Sequence, residues 1–146
     1  MASDPALKRC IGCEADGIAS LRKTPHPGPR CATHHRQRRK SRRSYSHERH
    51  ISETYGITTV EYQSIYDYQG GSCAICQRAT GAYKRLSVDH CHSTGLVRGL
   101  LCQKCNRDVL GHLRDDPAAF ARAAAYLKRP PAVEAIGRRI TPDMEQ

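Results

Sequence analysis

The spacing of the cysteines constrains this chain more than any other sequence feature. In its C-terminal half, two cysteine pairs of the form Cys-x-x-Cys are separated by 25 residues: Cys73, Cys76, Cys102 and Cys105. Each pair can present two thiolates to one tetrahedral zinc ion, and four protein ligands leave no coordination position open. The pattern therefore predicts a structural zinc site that contributes folding free energy directly. The alternative is that the two pairs are redox-active dithiols. However, two such pairs on either side of a predicted hairpin have no evident role in thiol exchange.

A second set of metal-type residues lies near the N-terminus. A loop that contains three prolines and a glycine separates its two pairs, which are Cys10, Cys13, Cys31 and His34. This composition suits a small metal knuckle without an apolar core, so we expect a second structural zinc. The neighbouring His35 could replace His34 as the fourth ligand, and the spacing does not choose between them.

The composition supports metal over disulfides as the stabilising element. The chain has 146 residues with one Phe, no Trp and 38% apolar residues, which is too little to bury a large core. The first residues lack the apolar segment of a signal peptide, and no apolar run is long enough to span a membrane. We therefore expect a cytoplasmic setting, where thiols stay reduced and bind zinc.

Positive charge is concentrated in one short tract. The formal net charge is +10, and six of the eight residues from 36 to 43 are basic: Arg36, Arg38, Arg39, Lys40, Arg42 and Arg43. A single-signed run of this density predicts contact with a nucleic-acid backbone. A merely solvated linker is the plain alternative.

The local patterns predict an α+β fold. A capping box at Thr58 begins a helix that reaches Gln69 and carries tyrosines at helical spacing. Residues 86–90 and 96–101 read as two strands joined by a turn, and residues 102–113 read as helical. Pro117 begins a last helix whose apolar side includes Phe120 and Leu127, and Pro130 ends it.

These elements suggest four segments. Residues 1–35 form an N-terminal zinc knuckle, residues 36–54 a basic linker or helix, and residues 55–129 a zinc-stabilised core domain. Residues 130–146 form a tail, which we expect to be poorly ordered.

Within the core domain, an acid and an amide are expected to converge. Asp89 lies at the end of the first predicted strand, and Asn106 directly follows the last cysteine. If zinc clamps strand and helix together, their oxygens make a cation site that suits Mg²⁺ or Mn²⁺. His90 would then activate a water molecule. The alternative is that this histidine ligates zinc, although four cysteines already complete the coordination.

The block LSVDHCHSTGLVRGLLCQKCN, with the upstream GGSCAIC, closely resembles the recombination endonuclease VII group of the His-Me finger (HNH) nucleases, many of them from bacteriophages. The resemblance implies a ββα-metal core in which Asp89 and Asn106 bind Mg²⁺ and His90 is the general base. It also implies that His92 assists at the scissile phosphate or leaving oxygen. Arg98 and Lys104 are candidates for contacts with neighbouring phosphates.

The resemblance implies a metal-dependent DNA endonuclease, acting on branched DNA such as a Holliday junction or on plain duplex. The acid that the best-known family member carries one turn after the asparagine is replaced here by Val109, with only Asp108 nearby. The best-known member also has a long helical C-terminal part that forms a dimer, whereas this chain has one predicted helix and a short tail after its core. The sequence therefore does not decide whether the protein is a homodimer. A non-catalytic zinc-containing adaptor that binds nucleic acid is the rival interpretation.

Overall fold

The computed structural model describes residues 9–19, 22 and 24–141. It contains helices and one small antiparallel sheet, in agreement with the predicted α+β class. The chain divides into two compact units, Met1–Tyr62 and Gln63–Gln146. None of the described helices combines the length and the apolar character that a membrane span requires.

The first unit is built from a short helix and a long one. Helix α1 spans Ile11–Ala15 and helix α2 spans Ala32–Tyr55, so the basic tract is helical. Only Ile51 of α2 is buried, as expected for a helix that is polar around most of its circumference. Gly56 ends α2 in the left-handed conformation, with its N–H bonded to the Ser52 carbonyl.

Helix α3, Thr59–Tyr68, begins at the predicted capping box. The Glu61 carboxylate accepts from the Thr58 N–H at 2.7 Å, and the Glu61 N–H donates to the Thr58 hydroxyl at 3.2 Å. Two N–H groups at the helix start are thus satisfied by side chains. Of the tyrosines at helical spacing, Tyr62 is buried and Tyr66 is half-buried, whereas Tyr68, which lies off that face, is exposed.

The second unit contains the sheet. Strands β1, Ser87–His90, and β2, Val97–Leu101, pair in antiparallel fashion and confirm the predicted hairpin. Asp89 faces Gly99 while His90 faces Val97, so Arg98 is an extra residue in β2. Such a bulge breaks the alternation of the strand and redirects the side chain of the extra residue.

The amide side chain of Gln69, one residue beyond α3, holds the free edge of β2. Its oxygen accepts from the Leu100 N–H at 2.8 Å, and its nitrogen donates to the Leu100 carbonyl at 2.9 Å. The amide therefore replaces the backbone of a third strand. A Cβ at Gly99 would lie 2.9 Å from the Gln69 oxygen, so only glycine allows this approach.

The segment after β2 differs from the predicted regular helix. Lys104–Leu110 form a π-helix, in which the Gly111 N–H bonds to the Asn106 carbonyl at 3.3 Å. The wider turns continue to the Asp115 N–H, which bonds to the Leu110 carbonyl. A π-helical turn changes which side chains share a face, and such turns are frequent at functional sites.

Two helices follow the π-helix. Helix α4, Pro117–Lys128, begins where predicted, with the Asp116 carboxylate accepting from the Ala118 N–H at 2.9 Å. Its predicted apolar side is not packed into a core, because no α4 residue is buried and Leu127 is 77% exposed. The tail expected to be poorly ordered contains helix α5, Pro131–Ile136, which Pro131 begins at its first position.

We predict that Gln69→Ala lowers the free energy of unfolding by about 1–3 kcal/mol, because the buried Leu100 N–H loses its partner. Urea denaturation of the zinc-loaded protein measures the change. Gln63→Ala is the matched control, since it removes only an exposed bond to Asp67 and should cost less than about 0.5 kcal/mol. Equal losses for the two variants would contradict the role given to Gln69.

Candidate functional site

The second unit has a four-cysteine cluster at the base of its hairpin. The sulfurs of Cys73, Cys76, Cys102 and Cys105 all lie within 4.8 Å of one another. The first pair is tied to β2, because the Ala74 N–H donates to the Leu100 carbonyl at 3.2 Å. The second pair joins β2 to the π-helix, since it starts directly after Leu101. The cluster thus connects the knuckle, the strand and the helix.

The electrostatics of this cluster favour a bound cation. Burial, followed by the neighbouring sulfurs, raises the pKa of Cys105 to about 12. Backbone N–H groups of Arg78 and Ala79 instead lower the pKa of Cys76 to about 6. All four thiols can ionise together only if a positive charge offsets their mutual repulsion. The donor set therefore fits structural zinc.

The first unit contains the predicted three-cysteine, one-histidine cluster, whose ligand atoms also lie within 4.8 Å of one another: Cys10, Cys13, Cys31 and His34. The His34 Nδ1 atom is 3.3, 3.5 and 3.4 Å from the three sulfurs in that order. The structure thus selects His34 over His35. The His35 ring stacks instead on that of His26, with 4.1 Å between centroids.

The carboxylate of Asp16 supports this histidine from behind. Its Oδ2 atom lies 2.7 Å from His34 Nε2, and this bond, with those to the sulfurs, raises the pKa of His34 to about 9. A carboxylate on the far nitrogen fixes the ring orientation of metal-binding histidines. A Cβ at Gly12 would lie 2.5 Å from the His34 ring, so glycine allows the ring to reach the sulfurs. The cysteine spacing carried no signal for Asp16.

Beside the hairpin lies a cavity of about 310 Å³. It is lined by residues from β1, the turn after it, β2, the π-helix and the turn before α4: Asp89, His92, Arg98, Asn106, Gly111, Arg114 and Asp115. Three of the four predicted catalytic residues, Asp89, His92 and Asn106, therefore line one cavity, together with the predicted phosphate contact Arg98. Asn106 is held in the first turn of the π-helix, where its N–H bonds to the Cys102 carbonyl at 3.0 Å.

His90 lies next to this cavity and is absent from its lining. It is the last residue of β1 and is half-buried. Its ring centroid is 4.8 Å from that of His92, with the planes tilted by 46°. The two histidines thus form a pair of which His92 faces the cavity.

Asp89 is a buried carboxylate, 5% exposed, and Arg98 compensates its charge. The guanidinium donates to both carboxylate oxygens, at 2.7 Å from Nε and 2.8 Å from Nη2. The same Nη2 lies 3.1 Å from the Asp115 carboxylate. The hydrogen bond to Asp89 is the main reason that the pKa of Arg98 is raised. Two carboxylates of the cavity therefore converge on one positive charge.

Sequence reasoning did not identify Asp115 as a residue of this site. The pair Asp115 and Asp116 was interpreted only as the start of α4, yet only Asp116 caps that helix. Asp115, with φ of 56°, turns toward the cavity instead. The acid nearest the family position, Asp108, is paired with Arg107 at 2.6 Å, and Val109 is 37% exposed. No sequence spacing signals Asp115, because its placement depends on the π-helix.

The remaining predicted DNA-contacting residues lie on the surface. Lys104 is exposed at the start of the π-helix. The six residues of the basic tract are all exposed on α2. Arg98 is also exposed, but its head group is engaged by Asp89 and Asp115.

Comparison with known proteins supports the resemblance seen in the motifs. A family model described as recombination endonuclease VII matches residues 48–129. The Gene 59 protein of Mycobacterium phage D29 is 56% identical over 135 residues, which cover 92% of this chain and 82% of that protein. The Gene 59 protein of Mycobacterium phage L5 is 57% identical with the same coverage. No solved structure matches the chain significantly.

We predict that Asp16→Ala weakens zinc binding at the first-unit cluster about 10- to 100-fold, because His34 loses the partner that orients it. Competition with a chromophoric chelator measures the affinity. The four-cysteine cluster in the same molecule is an internal reference and should be unchanged. Glu14→Ala, an exposed acid in α1, is the control variant. An unchanged affinity in Asp16→Ala would contradict the supporting role.

We also predict that Arg98→Ala lowers the free energy of unfolding by about 2–4 kcal/mol, because it leaves the buried Asp89 carboxylate without its counter-charge. Adding Asp89→Asn to that variant should restore part of the loss. Urea denaturation of the two single variants and the double variant, without added Mg²⁺, gives the coupling. Strictly additive losses would show that the pair carries no such energy.

Proposed function

The chain belongs to the recombination endonuclease VII family, and we propose that it is a divalent-metal-dependent endonuclease that hydrolyses phosphodiester bonds in DNA. The observation that carries the proposal is the cavity in which Asp89, Asn106 and His92 meet beside a hairpin clamped by four cysteines. In this interpretation β1, β2 and the π-helix are the ββα-metal core of a His-Me finger nuclease.

The donor set of the cavity fits a hard divalent cation. Carboxylate and amide oxygens are the ligands that Mg²⁺ and Mn²⁺ prefer, and Asp89 and Asn106 supply one of each. The Asp89 and Asp115 carboxylates share the guanidinium of Arg98, so a divalent cation that binds there would have to displace it. When bound there, the cation would polarise a phosphate oxygen and stabilise the leaving 3′ oxygen.

The two histidines divide the proton transfers. We assign His90 as the general base that takes a proton from the attacking water, whose oxygen bonds to phosphorus as the bond to the 3′ oxygen breaks. His92, which faces the cavity, is placed to assist at the scissile phosphate or at the leaving oxygen. Their ring centroids, 4.8 Å apart, keep both within reach of one phosphate.

Basic residues supply the contacts that position DNA. Lys104 at the edge of the π-helix and the exposed tract on α2 are proposed to neutralise backbone phosphates. Arg98 would contact a phosphate once a divalent cation replaces it at Asp89, because its guanidinium then loses its main partner. The family name makes recombination intermediates, such as a Holliday junction, the first substrates to test, with plain duplex as the alternative.

The proposed setting is the host cytoplasm, where reduced cysteines bind zinc. The two Gene 59 proteins that resemble this chain come from phages, which agrees with the expected phage origin. A homodimer is compatible with two-strand cleavage, and sedimentation of the protein with and without DNA tests it. The rival function is a non-catalytic adaptor that binds nucleic acid. In that case Asp89, His90 and Asn106 would have no role in catalysis.

We predict that His90→Ala abolishes nicking of supercoiled plasmid in the presence of Mg²⁺, while zinc content and the circular dichroism spectrum stay unchanged. Loss of the base should slow cleavage by about 100- to 10,000-fold. His112→Ala, an exposed histidine just after the π-helix, is the control and should cleave normally. Undiminished nicking by His90→Ala would refute the assignment. Intact DNA binding with no cleavage by the unaltered protein at any Mg²⁺ or Mn²⁺ concentration would favour the adaptor.

A further inference from the structure

The first unit contains a cleft that the family match does not reach. Its volume is about 620 Å³, and it lies between the loop that precedes α2 and one face of that helix. It is lined by Pro27, Gly28, Pro29, Arg30, His35, Arg38, Arg39, Arg42, Arg43 and Ser46. All of these residues precede residue 48, where the matched region begins.

The cleft is strongly and exclusively positive. Five of its lining residues are arginines, and no acid lines it. Among the residues that the structure describes, none of these five guanidinium groups pairs with a carboxylate. A site of this kind attracts an anion with several charges.

The zinc cluster of the first unit determines the shape of the cleft. The Ile11 N–H donates to the Pro29 carbonyl at 3.0 Å, which ties the loop to α1. Cys31 immediately follows Arg30, is a member of the cluster and precedes the first residue of α2. The stacked rings of His26 and His35 join the loop and the helix a second time. Loop and helix are therefore held together without an apolar core, and the cleft is preorganised.

The cleft divides the basic tract into two groups. Arg38, Arg39, Arg42 and Arg43 recur at the spacing of one helix face and line the cleft. Arg36 and Lys40 belong to the same tract but do not line it. Conversely, Arg30 lines the cleft although it lies outside the tract. If the basic residues only attracted DNA through their total charge, residues inside and outside the cleft would contribute equally to binding.

We propose that this cleft is a preformed binding site for the sugar-phosphate backbone of duplex DNA, in which Arg30 acts together with the cleft face of α2. Guanidinium groups bind phosphate oxygens in bidentate fashion. The lining contains no Trp, Tyr or Phe, so it lacks the stacking platform that single-strand binding uses. The site rests on the proposed function only in its choice of DNA as ligand, since it lies apart in sequence from the catalytic set.

The test compares two charge-matched double variants. Arg38→Gln with Arg42→Gln removes two charges from the cleft, and Arg36→Gln with Lys40→Gln removes two from the same helix outside it. Binding of a fluorescent duplex is measured by anisotropy over a range of salt concentrations, without added Mg²⁺. Each lost phosphate contact should reduce the slope of log K against log salt by about 0.9. Glutamine keeps the helix propensity, and zinc content and circular dichroism verify the fold.

We expect the cleft variant to lower the slope by about 2 and to weaken binding at least tenfold more than the outer variant. The single variant Arg30→Gln should lower it by about 1, although it lies outside the basic tract. Equal effects of the two double variants, or no effect of Arg30→Gln, would overturn the cleft. Tighter binding of a single strand than of the duplex would overturn the duplex as its ligand.

Cleavage assays on the same variants separate this site from the proposed reaction. At saturating DNA, the cleft variant should cleave at the rate of the unaltered protein, while its KM rises. If the unaltered protein binds duplex through the cleft but cuts no DNA, the cleft is supported and the endonuclease proposal fails. If the cleft variant instead cleaves DNA with normal KM and binds duplex normally, the endonuclease proposal stands and the cleft is overturned.

Discussion

The gathering of cysteine sulfurs into two tight clusters is the interaction on which both units depend. Each cluster brings four ionisable ligand groups within 4.8 Å of one another, and burial together with neighbouring thiols raises the pKa of Cys13 in one cluster and of Cys105 in the other. A bound dication turns this cost into folding free energy, which a chain with so few large apolar residues does not obtain from core packing. The clusters also fix the direction in which the chain continues, because the last ligands of each cluster lie at the start of a helix.

In the second unit, the cysteine cluster lies at the base of the hairpin and fixes its distance from the π-helix. The rest of the geometry follows from polar contacts within that frame. The Gln69 amide occupies the free edge of β2, and the bulge at Arg98 aims a guanidinium at the buried Asp89 carboxylate. The cavity therefore combines a hydrogen-bonded frame with two carboxylates that share one guanidinium, so a cation that binds there must compete with Arg98.

In the first unit, too, a cysteine-containing cluster holds the structural elements together. Its cluster joins a proline-rich loop to a long polar helix, and the two enclose a surface lined with arginine. The two sites thus differ in composition: two acids, an amide and two arginines are among the residues that line the cavity of the second unit, while five arginines, without a carboxylate partner among the described residues, line the cleft of the first. Under the proposed function, the cavity of the second unit would serve phosphodiester cleavage and the cleft of the first unit would serve DNA binding.

Local rules were sufficient to identify much of the structure from the sequence. The Cys-x-x-Cys spacings identified both clusters, the capping box at Thr58 located α3, and the alternating residues around Val88 located the hairpin. That Asp89 and Asn106 line one cavity was also foreseeable, because both adjoin the elements that the cysteines join. These features depend on residues close in sequence or on a strict coordination number, so the order of residues determines them.

Tertiary structure alone decided the rest. The choice of His34 over His35, the support by Asp16, the split of the basic tract and the arrival of Asp115 in the cavity all join residues without a sequence signature. Each depends on local geometry that directs a side chain, namely the orientation of a ring on a helix, the bulge in β2 or the wider turns of the π-helix. Such geometry follows from the packing of whole elements, which the residue pattern does not encode locally.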